Sequence, residues 1–451
     1  MLIPWILVCI IIVSINIIRF IGLQVSPPGF YIDEAFGASH ILCLKETGHD
    51  FFGEYFALFS KVYSYGFQTA PYLYSEALWT SLFGTSITAL RSFLGFVTVL
   101  TIIGIMKLAH ALVKEKDLNF VLLVGLSASL MPWSFQFSRI SWDAPMGPMF
   151  LVWSLYFIYR KPNQLSLDYF SWDAVLGGAL LALAGYTYSP MRVQVAIMVL
   201  FLPNIPIRKK IMIAGVFGVA CIPAALKYLD PIFTARSKLL ALTSDYEGNP
   251  YRARGFFGLL LAYLSQILMH LSPSFLIGSG DHNLRHSTQS FGQMDWLTAM
   301  GCLITSALLT FKKLRSRFVW SNGHVVIAKL SLLGILAGIT PAALTWEGVP
   351  HAIRSLGSWP FFVMFGAVGL SALIQKIPKL AWVAVGVALV FFSLYIQDYF
   401  VNYPIRARDW FDQSIVEHAE RGEFANDYGP LARGYFLMSR QGMSCDAIPK
   451  N

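Results

Sequence analysis

The sequence predicts an all-α polytopic membrane protein that crosses the bilayer about eleven times and gathers its unusual charges on one face. Three observations carry this reading. Of 451 residues, 56% are hydrophobic and only 13% charged, and the mean hydropathy of +0.57 lies well outside the range of soluble domains. Apolar windows of the ~20 residues needed to cross a hydrocarbon core recur from one end of the chain to the other. The aromatic content of 15%, rich in Trp and Tyr as well as Phe, suits two interfacial belts. Helices are the expected spanning elements, because lipid offers the backbone no partners and a closed barrel would read as short alternating segments.

The first apolar stretch, Ile3 to Leu23, has neither a basic n-region nor a small-residue cleavage site and reads as a retained span. Further spans are expected at 89–112, 118–134, 143–159, 174–189, 191–204, 211–228, 295–311, 325–345, 358–374 and 380–399. With the N-terminus inside, the cytoplasmic loops carry Lys114 and Lys116; Arg160 and Lys161; Arg208, Lys209 and Lys210; Lys312, Lys313, Arg315 and Arg317; and Lys376 and Lys379. All of these loops obey the positive-inside rule. Phe256 to Gly278 is apolar enough to span, but counting it would put the 312–317 cluster outside. It is therefore expected to lie along the interface within an external loop, 229–294. Pro71 to Phe83 is too short to cross and reads as a juxtamembrane helix, opened by its proline, in the first external loop, 24–88. Residues 1–400 thus form one membrane-embedded domain and 401–451 a short external tail. The five cysteines show no metal-ligand spacing; Cys43 and Cys445 both face outside, and the sequence leaves their pairing open.

The external face carries three sets of charged residues. Asp33-Glu34 follows Pro27-Pro28-Gly29-Phe30 and starts a helical pattern, so either acid serves as a helix-start residue or as a carboxylate fixed at the membrane surface. Arg139 and Asp143 stand four residues apart between two spans, where they form a local ion pair or serve function, since charge so near hydrocarbon is expensive. Arg192, Arg285, His286 and Arg354 run against the positive-inside trend. Snorkelling accounts for any one of them; an anion held by bidentate hydrogen bonds accounts for the set. His282 and His286 have i, i+4 spacing, but their Gly and Asn surroundings do not call for a metal.

Carboxylates and arginines on one membrane face suit a particular chemistry. An acceptor hydroxyl attacking a sugar must lose its proton to a base within hydrogen-bonding reach. A lipid phosphate leaving group departs as a stable anion and needs positive charge, not a general acid. Transport of a lipid-linked sugar, by a transporter or flippase, is the alternative. It requires charges along a path through the midplane, and no internal repeat of transporter type is present.

The runs Pro28-Gly29-Phe30-Tyr31-Ile32-Asp33-Glu34-Ala35 and Thr47-Gly48-His49-Asp50-Phe51-Phe52-Gly53, then Ala70-Pro71-Tyr72-Leu73-Tyr74 through Ser86 and Arg91, resemble bacterial relatives of the protein O-mannosyltransferases. These are GT-C-type glycosyltransferases and include the aminoarabinose transferases of lipid A. Ser138-Arg139 with Asp143, Gly280-Asp281 with Arg285-His286, and Pro350-His351-Ala352 with Arg354 continue the resemblance over roughly residues 1–400. The resemblance implies a GT-C-like fold and transfer from a polyprenyl-phosphate sugar, usually with inversion, to a lipid, glycan or protein acceptor. It implies an enzyme of the bacterial plasma membrane with its active site outside. It implies Asp33 as base or acceptor-positioning group, accompanied by Glu34, and Asp143 as a second functional aspartate. The donor-phosphate set is then Arg139, Arg192, Arg285, His286 and Arg354, because Ala70 stands where the aminoarabinose branch has a phosphate-binding lysine. No cofactor, metal or nucleic-acid partner is called for; a divalent metal is compatible with the residues but not indicated by them.

Overall fold

The computed structural model describes residues 5–62, 66–113, 117–160, 171–318, 321–421 and 430–448. The chain opens with α1 (Trp5–Ile18), α2 (Ile32–Thr47), a hairpin of β1 (Phe59–Lys61) and β2 (Phe67–Thr69), and α3 (Ala70–Phe83). There follow α4 (Ile87–Leu112), α5 (Leu118–Leu130), α6 (Pro132–Phe137), α7 (Met146–Tyr159), α8 (Trp172–Thr187), α9 (Ser189–Phe201) and α10 (Ile207–Lys227). Next come α11 (Pro231–Leu240), α12 (Phe256–His270), α13 (Pro273–Leu276), α14 (Trp296–Thr310), α15 (Lys312–Arg315), α16 (Asn322–Ala343), α17 (Trp359–Lys376) and α18 (Leu380–Gln397). The chain closes with α19 (Tyr403–Ala407), α20 (Gln413–Glu420) and α21 (Pro430–Gln441). The only sheet among the described residues is the two-stranded antiparallel hairpin, so the fold is all-α as expected.

Each of the eleven expected spans holds a helix. By length and composition, five helical stretches suffice to cross a membrane: Ile87–Leu112, Ile207–Lys227, Asn322–Ala343, Leu356–Lys376 and Leu380–Phe411. The other six expected spans hold helices of 13 to 16 residues. Helix starts follow local chemistry. Ser86, Asp117, Asp295 and Ser321 each accept a hydrogen bond from a backbone N–H in the first turn of the helix they precede. Proline opens α3, α6, α9 and α17. Lys114, Lys116 and Lys161, which belong to two of the loops expected to be cytoplasmic, lie outside the described residues.

Packing between α14 and α17 is set by small residues. A Cβ at Gly301 would sit 2.2 Å from the Gly366 carbonyl oxygen, and one at Gly369 would sit 2.3 Å from that of Gly301. Any side chain there would force the helices apart, the usual reason for glycine at such seams. The large core gathers α1, α5, α7, α14, α16, α17 and α18. A second core joins α2, α3 and α4 to α21, with Phe30, Phe36, Phe51, Tyr72, Tyr435 and Phe436 buried together. That second core draws the chain's end onto the first loop. Helix α12 buries Ala262, Gln266 and His270 on one face, leaves Phe257, Leu261, Leu264 and Leu268 exposed, and reaches α16 through Tyr263 Oη and Thr340 Oγ1, 3.1 Å apart.

Candidate active site

The site is assembled where the start of α2, the loop before α7, the turn between α8 and α9, α11, and the loops 281–286 and 345–355 converge. The start of α2 is held from three sides. Glu34 is fully buried and its carboxylate accepts four hydrogen bonds: from Arg91 Nε at 2.9 Å and Nη2 at 2.8 Å, from Tyr31 N at 3.1 Å and from Ser141 N at 2.9 Å. The remaining Arg91 donors go to the carbonyls of Leu23, Pro27 and Gly29. Asp412 Oδ2 accepts from Ile32 N at 3.1 Å, so a residue of the tail caps this helix. Gly29 lets the two segments meet: its φ is +63°, and a Cβ there would lie 2.3 Å from the Phe411 carbonyl oxygen.

Asp33, one position before Glu34, points elsewhere and stays partly exposed. Its charge acts on Asp143, Tyr31 and Tyr188. Asp143 lies just before α7, also partly exposed. Burial, then the charge of Asp33, pushes its carboxyl up to about 8, opposed by the charge of Arg192. Two acids, one in the first turn of α2 and one in the loop before α7, thus act on one region.

Arginines surround that region. Arg285 lies 4.2 Å over the Tyr31 ring and 5.3 Å over Trp410; its Nε bonds Asn283 Oδ1, and its Nη groups make no hydrogen bond among the described residues. Arg354 uses Nη1 on Thr345 Oγ1 and the Glu347 carbonyl, leaving Nε and Nη2 available. Arg192 sits among Phe59, Tyr228 and Phe233 and donates to the Gly185 carbonyl and Tyr228 Oη, leaving part of its fork available. His286 is buried and pairs with Asp281, Nδ1 to Oδ2 at 2.9 Å.

Two of the sequence-predicted site residues stand apart from this cleft. Glu34 has no oxygen left for a substrate, as above. Arg139 is fully buried, and its five N–H groups go to backbone carbonyls of Ile18, Arg19, Ile21 and Ser26, the last accepting twice. The guanidinium therefore has no donor free for phosphate. It forms no ion pair with Asp143, because these carbonyls compete successfully for it.

Sequence reasoning missed Arg236 and Glu76. Arg236, exposed on α11, acts electrostatically on Tyr31, Tyr188, His351 and Arg354, so its charge reaches residues of several of the converging segments. In sequence it is one of several basic residues in a long loop, with nothing local to distinguish it. Glu76 on α3 is fully buried; its Oε1 accepts from Ser141 Oγ at 2.7 Å and burial pushes the carboxyl up to about 8. Its signal was an acid within an otherwise apolar helix. A cavity lined by Val8, Asp117, Leu122, Leu126, Gln375 and Val385 lies at the opposite end of α5 and contains none of these residues.

No protein-family model matches the chain, and no curated protein sequence does. Solved structures do. The chain superposes on the archaeal oligosaccharyltransferase AglB from Archaeoglobus fulgidus, solved with an inhibitory peptide and a dolichol-phosphate, with a TM-score of 0.52 at 15% identity. The match covers 96% of this chain and 59% of that one, so the chain spans less than two thirds of that protein's length. ArnT from Cupriavidus metallidurans bound to undecaprenyl phosphate is also similar, with a TM-score of 0.45 at 14% identity over 95% of this chain and 84% of that one. The fold is therefore of GT-C type, as the resemblance in sequence implied, and the chain is an integral membrane protein.

Proposed function

We propose that the chain is a membrane glycosyltransferase that takes a sugar from a polyprenyl-phosphate donor and passes it, with inversion, to an acceptor hydroxyl of a lipid, glycan or protein. The observation that carries the reading is the pair Asp33 and Asp143, on separate segments but in one another's field, set among arginines with unused donors. Asp33 accepts the proton as the acceptor oxygen bonds to the anomeric carbon. The bond from that carbon to phosphate breaks, and the lipid phosphate leaves as an anion held by Arg285, Arg354 and Arg236. Asp143, protonated, orients acceptor or sugar by hydrogen bonding. Arg192, whose charge acts on Asp143, faces the sugar in this reading. Glu34 and Arg139 are positioning residues: one fixes the start of α2, the other the end of α1.

The dolichol-phosphate in AglB, on the same fold, supports a lipid-phosphate donor. The disulfide between Cys43 and Cys445 supports an external site, because such bonds persist on the oxidising side of a membrane. A bacterial plasma membrane is the setting the resemblance in sequence favours.

The test is transfer from a panel of polyprenyl-phosphate sugars by purified protein in detergent, with mass analysis of the acceptor. Product formed without two compartments separates transfer from transport. Asp33→Asn is expected to lose about 10²–10⁴-fold in kcat with its thermal transition unchanged. Full activity in that variant would remove Asp33 from the role of base.

A further inference from the structure

We infer that Asp281, His286 and His351 form a binding site for one zinc ion at the edge of the cleft. The three side chains come from two loops, and one donor atom from each lies within 4.8 Å of the others. Asp281 Oδ2 is 2.9 Å from His286 Nδ1 and 3.9 Å from His351 Nδ1. Side-chain pairing alone leaves this group incomplete. Asp281 and His286 satisfy one another, but His351 Nδ1 is buried with no hydrogen-bond partner. A buried ring nitrogen in that state calls for a ligand.

The groups behind the donors are fixed. Asp281 accepts from Asn283 N at 2.8 Å on Oδ1 and from Ala352 N at 2.7 Å on Oδ2. His351 N donates to His270 Nε2 at 3.0 Å, and His270 Nδ1 in turn donates to the Gln266 carbonyl at 2.8 Å. The opposite edge of the His351 ring rests on Gly348, where a Cβ would lie 3.2 Å from Cδ2. Such outer contacts orient ligands before the ion arrives.

The donor set selects the ion. Two imidazole nitrogens and one carboxylate, with a fourth position left open, match the three-ligand zinc pattern. Magnesium and calcium draw on several oxygen ligands and on accumulated negative charge. Here a single carboxylate stands among Arg354 and three histidines, His270, His286 and His351, which disfavours them.

This inference does not depend on glycosyl transfer, and its measurement is of metal. Purified chain, stripped with chelator and titrated with zinc against a chromophoric competitor, is expected to bind one ion per chain. His351→Ala and Asp281→Asn should each weaken binding by more than about a hundredfold, ligand loss exceeding the 10–100-fold cost of outer-contact changes. His282→Ala, at an exposed histidine in the same loop, should leave it unchanged. Zinc should raise the thermal transition of the unmodified chain and not that of His351→Ala, which also shows whether that variant is folded. Absence of stoichiometric binding in the unmodified chain, or equal affinity in folded His351→Ala, overturns the site.

Discussion

Asp33 and Glu34 are neighbours in sequence and have opposite fates in the fold. Both were visible as acids at the start of a helix, but only the structure separates them, because the separation depends on Arg91 and Ser141, 57 and 107 residues from Glu34. Breaking one side of such a buried pair typically costs about 3–5 kcal/mol. Glu34→Gln is therefore expected to lower the thermal transition, whereas Asp33→Asn is expected to lower only activity. Asp143 makes a prediction in pH. Its carboxyl is raised from the ordinary 3.8 to about 8, so the folded protein holds a proton that the unfolded chain releases. The stability contributed by the protonated group is complete below about 3.8 and is lost as pH rises toward 8. If protonated Asp143 orients substrate, kcat falls on the alkaline side around the same value. Asp143→Asn, which keeps a neutral hydrogen-bonding group, should retain more activity than Asp143→Ala and flatten the alkaline fall; an unchanged profile in Asp143→Asn would assign that fall to another group.

At the scale of elements, α1 and the 129–139 segment clasp each other through two buried arginines. Arg19 donates to Asn16 Oδ1, Ser138 Oγ, Ser134 Oγ and the Ser129 carbonyl, while Arg139 covers carbonyls between residues 18 and 26. Helices end with carbonyls that lack partners, and within lipid no water is present to satisfy them. Helix positions were legible from apolar windows and caps; the use of Arg139 was not. A charge near hydrocarbon reads the same from sequence whether it meets substrate or backbone, and the unwinding of the chain after Ile18 has no local signature. Arg139→Lys is expected to fail as a replacement, since three ammonium donors cannot cover five hydrogen bonds in fork geometry. The variant should show a lowered thermal transition in detergent with the KM for donor unchanged in the fraction that folds. A selective rise in KM at unaltered stability would return Arg139 to the phosphate.

For the whole molecule, composition made the all-α, membrane-spanning character legible, yet nothing in it showed that the tail returns to the first loop. That contact joins residues 402 positions apart through the Cys43–Cys445 disulfide, and alternation or periodicity in either segment is silent about it. The boundary drawn at residue 400 falls inside the continuous helical run Leu380–Phe411. Beyond it the chain supplies Trp410 beneath Arg285 and Asp412 on the start of α2, then docks α21 against α2, with Phe51 packed where Gly434 leaves room. The tail therefore forms one wall of the candidate site, and the disulfide closes the loop that holds it there. Loss of a native disulfide typically costs about 2–5 kcal/mol, mainly by releasing the unfolded chain. A Cys43→Ser, Cys445→Ser double variant should unfold at lower temperature. Because the tail orients Arg285 and caps the helix that carries Asp33, the variant should also show a higher donor KM, and reductant applied to the unmodified protein should reproduce both changes. A variant that loses stability while keeping its KM would show that the second core holds the tail in place without the covalent link, and would confine the disulfide to a stabilising role.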